Sequence, residues 1–167
     1  MKKGLVHIYY GDGKGKTSAA MGAALRAMGH KMYVLIVQFM KSGDSGEIAQ
    51  LCKLDHATVL YKKQKGKKKF VSQMTPEERQ EYAKGQNNLL SQVMEICQEE
   101  EYDMVVMDEV LTAYQMGIID HENLKELLRS RPSTLEVVMT GHHCPEEIAW
   151  FADYVTEMKK HRHPYDR

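Results

Sequence analysis

The chain has 167 residues, and its 23 basic and 23 acidic side chains give a formal net charge of zero. A chain of this length buries about 70% of its unfolded surface around one core, so we expect a single domain spanning residues 1–167. The balanced charge gives no overall attraction to nucleic acid or to an anionic membrane. The three cysteines form no Cys-x-x-Cys pair, which argues against a disulfide framework and against a cysteine-based zinc site.

The first feature along the chain is an apolar run at residues 5–10, which has the length of a strand. It is too short for a signal peptide, and no later stretch approaches the length of a membrane span. We therefore expect a cytoplasmic protein that binds neither membranes nor nucleic acid.

A glycine-rich turn follows this strand and precedes a helix predicted at residues 16–28. Its sequence is Gly11-Asp12-Gly13-Lys14-Gly15-Lys16-Thr17-Ser18. In such a turn the backbone N–H groups point at a bound anion, and the N-terminus of the helix adds positive potential. Lys16 is then placed to reach phosphates, and the Thr17 hydroxyl to ligate Mg²⁺. We interpret these residues as a triphosphate-binding loop, a variant because Tyr10 stands where the common pattern G-x-x-x-x-G-K-[ST] has its first glycine.

The rest of the chain alternates strand-like and helix-like segments. Further strands are predicted at residues 32–39, 57–61, 104–107, 135–139 and 154–158, and further helices at 76–100, at 121–129 and after Pro145. Thr75 and Asp120 are the predicted caps of two of these helices. Because the strands are apolar throughout, they indicate a sheet buried on both faces, and hence an α/β fold with a mainly parallel sheet flanked by helices.

Two acids, Asp108 and Glu109, end the predicted strand at 104–107, as in the Walker B element of ATPases. Since the carboxyl ends of parallel strands line one edge of a sheet, we expect these acids beside the triphosphate-binding loop. One of them would hold Mg²⁺, directly or through water, and the metal would screen the triphosphate. The alternative is an ordinary strand terminus.

Two other strand ends border the same edge by this geometry. Gln38, Lys41 and Glu47 follow one strand, and Thr140-Gly141-His142-His143 follows another. Gln38, Lys41 and Glu47 are candidates for contact with the nucleotide or with a second substrate, although polar turns after strands are common.

Residues 62–69, called the lysine segment below, contain six lysines and separate a strand from the long helix. Such a segment cannot belong to a core. Two interpretations remain open, which are a mobile solvated loop and an electropositive lid over an anionic ligand. Nucleic-acid binding is disfavoured, because no aromatic residues are interleaved with these charges.

These motifs together resemble the P-loop corrinoid adenosyltransferases of the CobA/CobO/BtuR type. The matching motifs span nearly the whole chain and are residues 11–17, Val37-Gln38-Phe39-Met40-Lys41, Gly46-Glu47, Val106-Met107-Asp108-Glu109, Thr140-Gly141 with Pro145, and Ala152-Asp153. The resemblance implies a P-loop NTPase fold of the RecA-like type. It also implies transfer of the 5′-deoxyadenosyl group of ATP to a Co(I) corrinoid, either cob(I)alamin or cob(I)yrinic acid a,c-diamide, with release of triphosphate.

The resemblance also implies roles for individual residues. Residues 11–18 bind the triphosphate, Thr17 and Glu109 serve Mg²⁺, and Asp108 supports that shell. Lys16, Thr17 and Glu109 carry catalysis, while the corrinoid or second-substrate side is assigned to Gln38, Lys41, Glu47 and Phe70. A homodimer and a reductant or reductase that converts Co(II) to Co(I) are expected. The resemblance further implies that aromatic residues ahead of the long helix exclude the lower axial ligand of the cobalt. Ser72 stands where the family commonly has a tryptophan two residues after the phenylalanine.

Two other functional classes fit the phosphate-binding motifs. One is a P-loop ATPase or small-molecule kinase that cleaves the β–γ bond of ATP, with Glu109 orienting water or an acceptor. The other is a carrier that binds nucleotide or corrinoid without turnover. The phosphate product separates these classes, because an adenosyltransferase releases intact triphosphate and a kinase or ATPase releases ADP.

Overall fold

The structure, a computed structural model, describes residues 2–99 and 101–166. Within these ranges six strands form one sheet in the order β3-β2-β4-β5-β1-β6, and every neighbouring pair is parallel. The strands are β1 (Val6–Tyr10), β2 (Val34–Gln38), β3 (Ala57–Tyr61), β4 (Met104–Asp108), β5 (Glu136–Gly141) and β6 (Tyr154–Glu157). The parallel α/β fold predicted from the apolar strands is confirmed.

The helices connect these strands across both faces of the sheet. They are α1 (Lys16–Gly29), α2 (Gly46–Leu51), α3 (Pro76–Gln98), α4 (Val110–Gln115), α5 (His121–Ser130) and α6 (Glu146–Ala149), with 3₁₀ turns at Val71–Gln73 and Pro164–Asp166. The sequence did not predict α2 or α4, which have only six residues each. The predicted end of α3, Glu100, lies outside the described residues. Among the described helices, none combines the length and the apolar character needed to cross a membrane.

Helices α3 and α5 begin at their predicted caps. Thr75 accepts a hydrogen bond from the Glu78 N–H through its hydroxyl (3.2 Å), and the Glu78 carboxylate accepts one from the Thr75 N–H (2.9 Å). Asp120 accepts a hydrogen bond from the Asn123 N–H at 2.8 Å. Each cap satisfies an N–H group that the helix itself leaves free, which fixes where the helix starts.

The sheet separates two apolar layers. Every residue of β2 and of β4 is buried, and successive residues point to opposite faces. Val105 packs in the layer formed with α3, α4 and α5, whereas Val106 packs in the layer formed with α1 and α2. Each such buried valine contributes about 1.5–3 kcal/mol of transfer free energy. Burial on both sides explains why the strands are apolar throughout.

The parallel arrangement brings the carboxyl ends of all the strands to one edge, called the carboxyl edge below. The loop between β1 and α1, the acids at the end of β4 and the turn after β5 meet there. The loop after β2 joins them because Gln38 pairs with Asp108 in the register of β2 and β4. The candidate site is therefore assembled from segments that are far apart in sequence.

Candidate functional site

Residues 11–18, called the phosphate loop, connect β1 to α1 at the carboxyl edge. Gly15 has φ +110°, a conformation that side chains other than glycine rarely adopt, and α1 begins at the next residue. Within the described chain no side chain caps the first turn of α1, and this turn contains no acidic residue. Its N–H groups and positive dipole end are therefore directed to the open edge, as an anion site requires.

The side chain of Lys16 folds back over the phosphate loop. Its ammonium group donates a hydrogen bond to the carbonyl oxygen of Gly13 at 2.8 Å. Lys14 and Ser18 are exposed, and Thr17 is partly buried. The structure thus places a cation directly over the turn that was predicted to bind the triphosphate.

Gly11 and Gly13 lie against residues 158–160, which follow β6 and are called the strap. The Gly13 N–H donates a hydrogen bond to the Met158 carbonyl oxygen at 2.6 Å, and the Met158 N–H donates one to Tyr10 at 2.7 Å. A Cβ atom on either glycine would overlap that Met158 carbonyl oxygen. The alternation of glycines, which the sequence indicated only as a variant of a phosphate-binding pattern, is required for this close packing.

Asp12 joins the phosphate loop to the same strap. Its carboxylate accepts a hydrogen bond from the Lys160 N–H at 2.9 Å, and this bond lowers the pKa of Asp12 below its usual value. The exposed carboxylate is thereby used to hold the strap, a role that the sequence did not predict.

The carboxylate of Asp108 is fully buried at the end of β4 and has three donors. It accepts hydrogen bonds from the hydroxyl groups of Thr17 (2.9 Å) and Thr140 (2.6 Å), and it forms an ion pair with the Lys41 ammonium at 2.7 Å. A buried carboxylate is costly unless it is paired and hydrogen-bonded. The cluster brings together the phosphate loop and the ends of β2, β4 and β5.

Glu109 occupies a strained position next to this cluster. Its φ of +61° lies in the left-handed region, which costs a residue other than glycine about 1–2 kcal/mol. The Glu109 N–H donates a hydrogen bond to the Thr140 hydroxyl at 2.9 Å, and the residue is partly exposed. Strain of this kind is concentrated at functional sites, where the surrounding structure compensates for it.

A buried glutamine on α3, which the sequence did not predict as a site residue, holds the loop after β2. Met40 has φ +59°, and its N–H donates a hydrogen bond to the side-chain oxygen of Gln86 at 2.9 Å. Gln86 is 1% exposed on α3, in a stretch of helix that otherwise buries apolar residues. A polar residue in that position was the available signal. Through Met40, Gln86 positions the neighbouring Lys41.

The predicted second-substrate residues are not all brought together. Gln38 is fully buried and donates a hydrogen bond to the Ser45 hydroxyl at 3.1 Å, so it lies beneath the open surface. Glu47 is partly exposed in the first turn of α2.

Lys41 and Phe70 line one cavity of about 210 Å³, and the Phe70 ring is 77% exposed there. A larger cavity of about 540 Å³ lies between the lysine segment and α3.

The oxygen atoms around Asp108 suit Mg²⁺, which needs only a few protein ligands. Among residues 2–99 and 101–166, no group of three or more His, Cys, Asp or Glu side chains is arranged to hold an ion. Mg²⁺ is commonly held by one or two protein oxygens, with phosphate oxygens and water completing its shell. The Thr17 hydroxyl and the Asp108 carboxylate, with Glu109 beside them, are groups of that kind.

The parallel sheet, the glycine-rich loop ahead of an uncapped helix and the acid at the end of β4 define a P-loop NTPase-like α/β fold. The chain matches the family model described as ATP:corrinoid adenosyltransferase BtuR/CobO/CobP over residues 2–167. It belongs to this family of transferases, which confirms the resemblance inferred from its motifs.

Individual relatives agree with the family match. The corrinoid adenosyltransferase of Escherichia coli K12 is 28% identical, with 99% of this chain and 81% of the relative covered. The corrinoid adenosyltransferase CobA of Salmonella typhimurium is 30% identical, with the same coverage of each chain. An uncharacterized protein of Nostoc is 28% identical over 96% of this chain, but the chain spans only 45% of the length of that protein.

Proposed function

We propose that the protein transfers the 5′-deoxyadenosyl group of ATP to the Co(I) centre of a corrinoid and releases intact triphosphate. In this step the electron pair of Co(I) forms the cobalt–carbon bond, and the C5′–O bond breaks with its electron pair leaving on the triphosphate. The cobalt attacks carbon directly, so no general base is required. The observation that carries the proposal is the Asp108 cluster, which joins the phosphate loop through Thr17 to the loop after β2 through Lys41.

The main catalytic task of the protein is to stabilise the leaving group. Negative charge grows on the triphosphate as the C5′–O bond breaks. Lys16 and the free N–H groups at the start of α1 are placed to meet that charge. We propose that residues 11–18 form this site, although the Gly13 N–H is already used by Met158.

We propose that Thr17 and Glu109 serve Mg²⁺ and that Asp108 supports its shell. When bound, Mg²⁺ supplies positive charge that screens the triphosphate and stabilises the leaving group. Thr140 orients the site from the other side, because its hydroxyl donates to Asp108 and accepts from the Glu109 N–H. Lys41 balances the charge of the buried carboxylate when the metal is absent.

The corrinoid is proposed to lie over Lys41 and Phe70, where the smaller cavity opens. The exposed Phe70 ring offers an apolar face to a macrocycle, and the loop that carries Lys41 is held by Gln86. Glu47 lies at the margin of this region, and Gln38 supports it from below. By the family resemblance we further propose a cytoplasmic homodimer, with a separate reductant or reductase that supplies the electron for reduction of the corrinoid from Co(II) to Co(I).

The test is an anaerobic incubation with Mg-ATP and chemically reduced cob(I)alamin or cob(I)yrinic acid a,c-diamide. We expect a light-sensitive adenosylcorrinoid and triphosphate in equal amounts. ADP formed without a cobalt–carbon bond would contradict the proposal and favour the kinase or ATPase class. Binding of both substrates without any product would instead favour a carrier. Omission of Mg²⁺ provides the control for the metal.

A further inference from the structure

The lysine segment is exposed to solvent, but Gln64, Lys68 and Lys69 hold it through specific contacts. The Gln64 side chain closes residues 64–69 into a loop, because it accepts a hydrogen bond from the Lys69 N–H (3.2 Å) and donates one to the Lys69 carbonyl oxygen (3.3 Å). Lys68 forms an ion pair with Asp44, and Lys69 forms one with Glu78 at 2.6 Å. These contacts attach the segment to the loop after β2 and to the first turn of α3.

The segment forms one wall of the cavity of about 540 Å³, and the start of α3 forms the other. Tyr82, Met74 and the methylene stems of the lysines make much of this lining apolar. Five lysines and three glutamates border the cavity, and the ion pair between Lys69 and Glu78 leaves four lysines against two glutamates. The four lysines, which form no ion pair within the described chain, are Lys62, Lys63, Lys65 and Lys67. The cavity therefore combines an apolar surface with an excess of positive charge.

This cavity adjoins the smaller one beside the Asp108 cluster. Lys62, Gln64, Lys69 and Tyr82 line both cavities, and the smaller one also contains Lys41 and Phe70. A ligand whose reacting centre lies at Phe70 would extend its periphery over the lysine segment. Together the two cavities have the size expected for a large ligand rather than for a single phosphate or carboxylate ion.

We propose that the lysine segment selects corrinoids whose peripheral arms end in free carboxylates over those whose arms are amidated. This inference rests on the proposed function. Lysine ammonium groups form charge-assisted hydrogen bonds with carboxylates, whereas a neutral amide receives only the weaker uncharged bond. The apolar part of the lining contacts the macrocycle in either case. The lysine charges thus affect the preference between carboxylated and amidated corrinoids more than they affect binding of the macrocycle.

The test measures equilibrium binding of two Co(II) corrinoids that both lack a nucleotide tail, cob(II)yrinic acid a,c-diamide and the fully amidated cob(II)inamide. Equilibrium dialysis with absorbance detection gives a Kd for each at low and at high ionic strength. We expect the carboxylated corrinoid to bind about tenfold more tightly, with an advantage that shrinks as salt screens the lysines.

The decisive variant is Lys63→Gln/Lys65→Gln/Lys67→Gln. The matched control, Lys2→Gln/Lys31→Gln/Lys53→Gln, removes the same charge at the opposite edge, since these lysines precede β1, β2 and β3. We expect the first variant to lose about tenfold in affinity for the carboxylated corrinoid, with the amidated one and Mg-ATP unchanged. A Lys→Arg triple variant at the same three positions should retain the preference.

Four results would overturn the proposal: no preference in the unmodified protein, an equal loss for both corrinoids, the same loss in the control variant, or a loss confined to Mg-ATP. The last result would assign the lysines to the triphosphate. Because the readout is binding, it is independent of turnover. Selective binding without adenosylation would contradict the proposed function alone, and adenosylation without selectivity would contradict this inference alone.

Discussion

The proposed nucleotide side and the proposed corrinoid side of the candidate site differ in how their side chains are held. On the nucleotide side, Asp108 is fully buried and its carboxylate is bonded to Thr17 at the start of α1, to Lys41 after β2 and to Thr140 in β5. On the corrinoid side, Phe70 is 77% exposed and the lysine segment lies outside the sheet, between β3 and α3. The parallel sheet thus determines the geometry of the nucleotide side. The corrinoid side depends on surface residues, which can be substituted without disturbing the core.

This contrast predicts that substitutions on the nucleotide side affect catalysis or stability strongly. Substitutions on the corrinoid side should instead change substrate preference with little effect on folding.

The largest effect is expected for Lys16→Ala. Loss of this ammonium group leaves charge on the departing triphosphate unbalanced and should lower kcat by about 10²–10³. The measurement is the anaerobic rate of adenosylcorrinoid formation, with Arg26→Ala at the exposed far end of α1 as the control. Near-normal turnover of Lys16→Ala would refute the assignment of the phosphate loop.

Thr140→Val should give the next largest effect, because valine has the shape of threonine but cannot form its hydrogen bonds. The change leaves Asp108 without one donor and the Glu109 N–H without its acceptor. We expect a loss of about 1–3 kcal/mol in the free energy of unfolding, together with weaker binding of Mg-ATP. Urea denaturation and titration calorimetry measure the two effects. Thr156→Val on the exposed strand β6 is the matched control and should change stability by less than about 0.5 kcal/mol. Equal stability of the two variants would show that the Thr140 bonds contribute nothing.

Lys41→Met tests whether Lys41 balances Asp108 only until the metal binds. Without a ligand, the variant leaves the buried carboxylate with its hydroxyl donors alone, and we expect a loss of about 1–2 kcal/mol in stability. Because the competing ammonium group has gone, Mg-ATP should raise the melting temperature of this variant more than that of the unmodified protein. A smaller rise would instead indicate that Lys41 contacts the triphosphate directly. Lys53→Met, exposed near the opposite edge, controls for the loss of charge.

Local sequence patterns separate the features that the sequence could predict from those that it could not. The apolar strands and the caps Thr75 and Asp120 are local patterns, and they predicted the sheet and two helix starts correctly. Strand-end geometry also predicted that Asp108 would lie beside the phosphate loop, and its hydrogen bond with Thr17 agrees. The family match supports the function inferred from these motifs.

The missed features depend on contacts between distant segments. Asp12 and Lys160 are 148 positions apart, and no local pattern indicates that the strap holds the phosphate loop. The polar residue at position 86 is visible in the sequence, but its partner, the Met40 N–H, is apparent only once α3 is seen to cover the loop after β2. The short helices α2 and α4 lack enough residues for an apolar period to emerge, so tertiary packing rather than local preference determines them.

Ser72→Trp should give the smallest effect and tests the corrinoid side alone. Ser72 is exposed in the 3₁₀ turn Val71–Gln73, immediately after Phe70, so a tryptophan there meets solvent rather than the core. If a second aromatic ring helps to exclude the lower axial ligand, the variant should adenosylate cob(I)alamin a few-fold faster, which corresponds to less than about 1.4 kcal/mol. Ser72→Ala should leave the rate unchanged, and neither variant should alter the Kd of Mg-ATP. An unchanged or slower rate with Ser72→Trp would show that this protein handles the axial ligand through other residues, with Phe70 and the lysine segment as the nearest groups to examine.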